Sequence, residues 1–371
     1  MPQGQFEYAL NFGPHHPSTH GLLRLLLSLF GEEVTSCEPE IGYLHRGVEK
    51  LVESRDFISI IPYVDRLDYL APVIQEHAYV RAIEQALRLE VPARALVIRT
   101  IFDELTRISS HIMAIGCLTY DLGCLSLFLY GFEEREKIME IFRRTTGARM
   151  HLSYYIPGGV RADIDEAIVA MIDEFLGKLD GYLRKVKRLA LDSRIFRRRT
   201  KGIGVISQNM AMCSGISGVN LRASGVRYDV RKSSSYGIYG LLGFEPITLT
   251  DSDCYARTEL RYLEIQQSMR LIQQCLSMLE PGDVKVPNST SGEAISMPDD
   301  VVIYSAAETP RGEFGVHMFA TKGGTKPYRL HFKSPSLASI QMLRQLLIGV
   351  KILDIPAILG SLDSVMGCCD R

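Results

Sequence analysis

Three groups of residues in this chain have the types and spacing that chemistry requires. The first is Gly13-Pro-His-His-Pro-Ser-Thr-His20, with three imidazoles, His15, His16 and His20, on a segment bent by Pro14 and Pro17. Histidine titrates near neutrality, so this loop can ligate a metal, hydrogen-bond and protonate a bound molecule, or serve as a plain surface turn. Metal binding fits least well. His-x3-His on a proline-bent loop lacks the helical register that aims two rings at one ion, and no Cys or carboxylate nearby completes a set.

The second group is Tyr63-Val-Asp-Arg-Leu-Asp-Tyr69. Arg66 and Tyr69 are three residues apart and share a face if this segment begins the helix that follows. On the structural alternative, Asp65 and Asp68 favour that helix N-terminus and Tyr69 packs. The third is Asp121, the only formally charged residue between Ile112 and Phe132. Burying such a carboxylate is costly unless a cation or donor pairs with it, so it either carries function or caps the Asp-Leu-Gly turn.

Other clusters carry less. The basic run Arg194, Arg197, Arg198, Arg199 and Lys201, preceded by Arg184, Lys185, Lys187 and Arg188, has no interleaved aromatics and fits a solvated helix end or a partner interface better than RNA or anionic lipid. Gly202-Ile-Gly204 lacks the third Gly and the Lys of a nucleotide loop. The eight Cys include no C-x-x-C pair, which excludes zinc-ribbon or iron-sulfur spacing within one loop. Their apolar surroundings suggest buried free thiols in a reducing compartment.

The elements that hold these residues are mostly helical. Short apolar segments at Phe6–Phe12, Leu22–Phe30 and Val34–Leu44, separated by turn residues, predict a small antiparallel sheet. Helical periodicity then predicts helices near 68–90, 97–118, 133–145, 163–192, 256–280 and 336–347. In the fourth, Ile164, Ile168, Met171, Phe175, Leu179, Leu183 and Val186 form one stripe. Two strands around Gly323-Gly324 read as a hairpin, and an apolar tail follows. The expected class is α+β, mainly α, in one integrated unit: a β-rich part at 1–45, a helix bundle at 46–280, and loop, hairpin and tail at 281–371.

With 371 residues, 46% of them hydrophobic, and a formal net charge of -1, the chain can bury a large core and gives no sign of disorder or of a nucleic-acid partner. No secretory or transit signal is visible after Met1. The stretch Ile112–Phe132 is long enough to span a bilayer, but three glycines interrupt it, and Asp121 near the centre would cost about 3 kcal/mol. It is expected to be buried protein wall, with any membrane attachment made through partners.

Taken together, several stretches resemble one family over essentially the whole chain: the quinone-site subunit of respiratory complex I, the D subunit of the bacterial enzyme and subunit 7 where organelles encode it. They are Asn11-Phe-Gly-Pro-His-His-Pro-Ser-Thr-His-Gly-Leu-Leu-Arg24, Ile41-Gly-Tyr-Leu-His-Arg-Gly-Val-Glu-Lys50, Tyr63 to Tyr69, Phe132-Glu-Glu-Arg-Glu-Lys137, and Gly147-Ala-Arg-Met-His151 with Pro157-Gly-Gly159. Ser217-Gly-Val-Asn-Leu-Arg222 and Pro310-Arg-Gly-Glu-Phe-Gly315 with Lys326-Pro-Tyr-Arg329 follow in order.

The resemblance implies that His20 and Tyr69 contact the two carbonyl oxygens of ubiquinone and that Asp121 is the hydrogen-bond partner of His20. It implies that Arg46, Arg66 and His151 lie beside a [4Fe-4S] cluster held by an adjacent iron-sulfur subunit, this chain holding no cofactor of its own. The implied activity is proton-translocating NADH:ubiquinone reduction. The implied partners are that iron-sulfur subunit, other peripheral-arm subunits and a membrane-arm subunit at the quinone entrance. The implied location is the matrix side of the mitochondrial inner membrane or, alternatively, the cytoplasmic side of a bacterial plasma membrane.

The family shares its fold with nickel-iron hydrogenase large subunits, whose metals take thiolates from two C-x-x-C motifs. In this chain the tail reads Asp363-Ser-Val-Met-Gly-Cys368-Cys369-Asp-Arg371. Cys368 aligns with the last thiolate, Val365 replaces its partner, and no Cys stands near Arg66, so Cys368 is expected to be an inert buried thiol. A metal-bearing hydrogenase-type subunit and a non-catalytic respiratory scaffold are the rival functions. Four departures from the family pattern stand out: His15 in place of Gln, Ser233-Ser-Ser235 where Pro precedes Tyr236, a span at 281–300 about twenty residues short, and Cys368-Cys369.

Overall fold

The computed structural model describes residues 7–19, 21–287 and 295–371. The chain is mainly helical with small antiparallel sheets, an α+β fold. Strands β1 (Glu7–Phe12), β2 (Arg24–Phe30) and β3 (Glu33–Glu40) pair in sequence order, with Phe12 opposite Leu25 and Leu27 opposite Cys37. Alternation along β2 puts Leu25, Leu27 and Leu29 on one face, all buried. That face finds its apolar partners at the far end of the chain, on helices α6 (Pro335–Leu346) and α7 (Ile355–Leu362).

Between these ends lie the long helices α1 (Pro72–Leu87), α2 (Ala93–Asp121), α3 (Leu125–Thr146), α4 (Glu166–Val186) and α5 (Cys254–Ser277). Local chemistry sets their limits. Pro72 occupies the first turn of α1, where its missing N–H costs nothing. Asp165 and Asp253 cap α4 and α5 by accepting the Ile168 and Ala256 N–H groups, and Gly147 ends α3 in the left-handed region. The stripe of α4 is as expected from Ile168 to Val186, except that Met171 is only partly covered.

Helix α2 is the axis of the bundle and is buried nearly all round, although it carries Arg99, Asp103, Glu104, Arg107 and His111. Most of these charges meet partners from other segments. Arg99 grips Glu84 through two nitrogens, Asp103 meets His77 at 2.7 Å, Glu104 meets Arg231 at 3.0 Å, and the His111 ring lies 2.9 Å from Glu264. Burial lowers His111 to about 4, so its ring is neutral and donates from Nε2. Although burial opposes it, Arg222 and then His111 hold the Glu264 carboxyl well below the usual range.

Two regions differ from expectation. The stretch Ile112–Phe132 is not one wall: it ends α2, turns at 122–124, and begins α3, whose Leu125, Leu129 and Phe132 are exposed. Among the described residues no helix is long and apolar enough to cross a membrane. Strands β4 (Tyr155–Ile156) and β5 (Gly159–Val160) form a small pair of their own. The C-terminal β region has three strands, β6 (Val301–Thr309), β7 (Gly312–Ala320) and β8 (Arg329–Lys333), with Gly323-Gly324 between the last two. The turn joining β6 to β7 presses against Ser217: a Cβ at Gly312, whose φ is +131°, would lie 2.3 Å from Ser217 Oγ. This close approach carries Arg311 into the core. Part of the 281–300 span, residues 288–294, lies outside the described residues.

Candidate functional site: a ring-sized cavity beside a cationic rim

Tyr69 does not lie on a helix. Residues Ile61–Val64 make one helical turn, α1 starts only at Pro72, and Asp65 to Ala71 form the irregular link between them. Asp65 and Asp68 therefore do not serve the helix N-terminus. Both are buried, and each anchors a separate cluster.

Asp68 accepts a 3.0 Å ion-pair contact from Arg311, which also donates to Ser110 Oγ at 3.0 Å and reaches Asp363 at 3.4 Å. Burial pushes the Asp68 carboxyl up, and Arg311 opposes the shift. This ladder fixes the segment that presents Tyr69 to a cavity of about 170 Å³. The apolar lining includes Leu23, Leu70, Met113, Ile340, Leu359 and Val365; the polar lining includes Ser18, Thr19, Tyr69, Cys117, Asp121 and Asp363. An apolar cavity of about 150 Å³ already accepts benzene, so one six-membered ring fits here.

Tyr69 is half-buried, and burial, with the charges of Asp68 and Asp363, raises its phenol above the ordinary value. It is therefore a neutral O–H donor at physiological pH. Asp121, the last residue of α2, lines the same cavity. The expected pair Tyr69 and Asp121, distant in sequence, are thus brought together. His20, the third expected member, lies outside the described residues.

The loop leading to it is better defined than a plain turn. A Cβ at Gly13 would lie 2.3 Å from the Leu23 carbonyl oxygen, and φ is +87° there, so the loop folds tightly back on β2. The Thr19 hydroxyl donates to the carbonyls of Pro14 and His16, Ser18 N–H donates to His16 Nδ1, and the His16 ring packs 4.1 Å from Phe12. His15 is exposed, whereas Ser18 and Thr19 are buried against the cavity. No group of three or more possible metal ligands occurs among the described residues.

Arg46, Arg66 and His151 also come together, around Asp65 rather than around the cavity. Arg66 donates to Asp65 at 2.8 Å, Arg46 donates to the Arg66 carbonyl at 2.8 Å, and His151 Nδ1 is 3.9 Å from Asp65. Ser153 donates to the same carboxylate from its hydroxyl at 2.9 Å. His151 and Ser153 hold left-handed backbones, φ 56° and 42°, a strained arrangement for side chains of this type. Both guanidiniums are exposed, so this rim presents positive charge outward over one buried anion.

Residue types alone do not single out Arg311, Asp363, Met113 or Cys117. The usable signal is the one that marks Asp121: Asp363 closes the apolar helix Ile355–Leu362. Cys368 is buried, its Sγ 3.0 Å from Ser334 Oγ, and burial pushes the thiol up to about 12. Val365 lines the cavity. The basic run is partly tied down, with Arg197 on Asp192 and Arg199 on the Leu353 carbonyl.

Comparison with known proteins matches residues 121–293 and 289–371 to the family described as respiratory-chain NADH dehydrogenase, 49 Kd subunit. The NADH-quinone oxidoreductase D subunit of Rickettsia typhi is 42% identical over 98% of both chains. The NADH-ubiquinone oxidoreductase 49 kDa subunit of Pylaiella littoralis is 41% identical, covering 98% of this chain and 96% of its own. The corresponding D subunit of Rickettsia bellii is 41% identical over 98% of both.

Proposed function

Because this chain belongs to the 49 kDa subunit family of the respiratory-chain NADH dehydrogenase, we propose that its cavity is the quinone-binding and reduction site of an NADH:ubiquinone oxidoreductase. One observation carries this: Tyr69 and Asp121 line a ring-sized cavity with largely apolar walls.

A quinone that takes two electrons needs two protons, one at each carbonyl oxygen. Tyr69, kept neutral by burial, supplies a donor at one oxygen. His20 supplies the other, with Asp121 fixing its tautomer and stabilising the imidazolium. The apolar wall excludes water and strengthens both hydrogen bonds.

The rim of Arg46, Arg66 and His151 fits a position beside an anionic cluster, because it presents two exposed guanidiniums over the buried Asp65 carboxylate. A [4Fe-4S] cluster held by an adjacent iron-sulfur subunit would supply the electrons beside this rim. The remaining partners are other peripheral-arm subunits and a membrane-arm subunit at the quinone entrance, through which the chain is held at the mitochondrial inner membrane on the matrix side, or at a bacterial plasma membrane. Proton translocation is then the work of the assembled enzyme.

The test is Tyr69→Phe and Asp121→Asn in the assembled enzyme, with NADH oxidation by quinone and by ferricyanide measured side by side. Loss of general acid catalysis lowers the quinone rate by about 100-fold and leaves the ferricyanide rate intact. Full quinone activity in both variants rules the assignment out.

A further inference from the structure

Tyr69 and Leu70 line two spaces. One is the large cavity; the other is a void of about 10 Å³ on which Thr106, Ser109 and Arg135 also border. That volume holds one water molecule and no organic ligand. Two residues of its wall each carry a polar atom, Thr106 Oγ1 and Arg135 Nε, that is buried without a hydrogen-bond partner among the described residues. Thr106 lies on α2 and Arg135 on α3, so the void sits where these helices meet the Tyr69 segment.

Two residues that wall a space of one water's size thus each carry a buried, unpaired donor, and a water there suits them because burying either group unpaired costs about 1–3 kcal/mol. The outer wall of the void contains Arg149 and Met150, both exposed, so solvent lies just beyond.

We propose that this void holds a single water through which Tyr69 regains the proton it gives to reduced quinone. The inference rests on the assignment of Tyr69 as donor made above. Per turnover, the Tyr69 O–H bond breaks as the proton passes to a quinone oxygen. The phenolate then takes a proton from the water in the void, and the resulting hydroxide is neutralised by one proton from solvent past Arg149. The two electrons come from NADH through the activity proposed above, and none passes through the water.

Arg135 does not donate the proton, since a guanidinium keeps its own at any working pH. It positions the water, and its charge eases the transient phenolate. Among the described residues, Asp68 beside Tyr69, Asp363 and Arg311 acting on it, Cys117 and Asp121 on α2, and Arg149 lining the void are the other charged or titratable groups around this centre.

The experiment is steady-state NADH:quinone reduction by the assembled enzyme from pH 6 to 9, with Thr106→Val, Thr106→Ser and Arg135→Lys. Thr106→Val is expected to lower kcat about tenfold, to leave KM for quinone unchanged, and to bring the alkaline fall in rate about one pH unit lower, because reprotonation becomes limiting. Thr106→Ser keeps the hydroxyl and restores both. Arg135→Lys, which retains charge but has no donor at the Nε position, reproduces the loss and serves if Thr106→Val does not assemble. A wild-type kcat and pH profile in Thr106→Val or Arg135→Lys, or equal losses in the Val and Ser variants, overturns the relay. Tyr69→Phe separates this from the underlying assignment: if it retains quinone reduction, the donor role itself fails; if it has lost it while Thr106→Val is unaffected, only the relay fails.

Discussion

Arg311, carried on the turn between β6 and β7, reaches the carboxylate of Asp68 at 3.0 Å, one residue before Tyr69. A hairpin from the last quarter of the chain thereby fixes the side chain proposed to serve the quinone. Arg311→Met leaves Asp68 and Asp363 buried without that guanidinium. Breaking such a pair costs about 3–5 kcal/mol, so assembled enzyme should be scarce or thermally labile. Asp68→Asn combined with Arg311→Met should recover part of the loss in a thermal-inactivation assay.

Gly312→Ala tests the same element from its backbone. The added Cβ would meet Ser217 Oγ at 2.3 Å in a conformation that alanine rarely adopts. A loss of about 2 kcal/mol or more is expected, read as a lower unfolding midpoint. A midpoint equal to wild type would mean that the hairpin is not held against Ser217.

Burial, and then the neighbouring Asp65 charge, pushes the Glu76 carboxyl well above its ordinary value of 4.5. The native chain therefore binds this proton more tightly than the unfolded chain, and the group contributes less stability as pH rises above 4.5. Glu76 Oε2 accepts the N–H groups of Tyr154 and Tyr155, a role an amide oxygen can take over. Glu76→Gln should be neutral or stabilising at pH 8 and should flatten the pH dependence of thermal unfolding. Glu76→Ala, which strands two buried N–H groups, should cost about 1–3 kcal/mol for each.

Cys117 borders the cavity, and its thiol is pushed up to about 11 by burial. On the order of one molecule in ten thousand then carries the thiolate at pH 7. Alkylation of Cys117 by N-ethylmaleimide should be slow, should rise roughly tenfold per pH unit, and should be blocked by a bound quinone analogue. Peptide mass spectrometry reads all three, and labelling indifferent to the analogue would place the ring elsewhere.

How far the sequence discloses this architecture depends on the kind of force at work. The α4 stripe and the short apolar segment that becomes β2 are local patterns, and both elements appear as expected. Asp121 stands out because a carboxylate in an apolar run has few uses, whereas Tyr69 is marked by the family resemblance and not by its spacing. The pairing of Arg99 with Glu84, or of Arg222 with Glu264 and Glu308, is invisible beforehand. Those charges are buried only because distant segments deliver their partners, and residue spacing carries no record of that. The start of α1 at Pro72 has a similar cause: Arg311 claims Asp68, and the expected helical turn around Tyr69 gives way to an irregular link.

The packing of β2 against α6 and α7 has a consequence for folding. Ser18 and Leu23 on one side of the cavity, and Ile340, Leu359 and Val365 on the other, come from opposite ends of the chain. Contacts of such sequence separation carry a large loop-closure cost, so the two walls can meet only once the intervening chain has compacted. A chain lacking either end therefore has only one wall of this cavity.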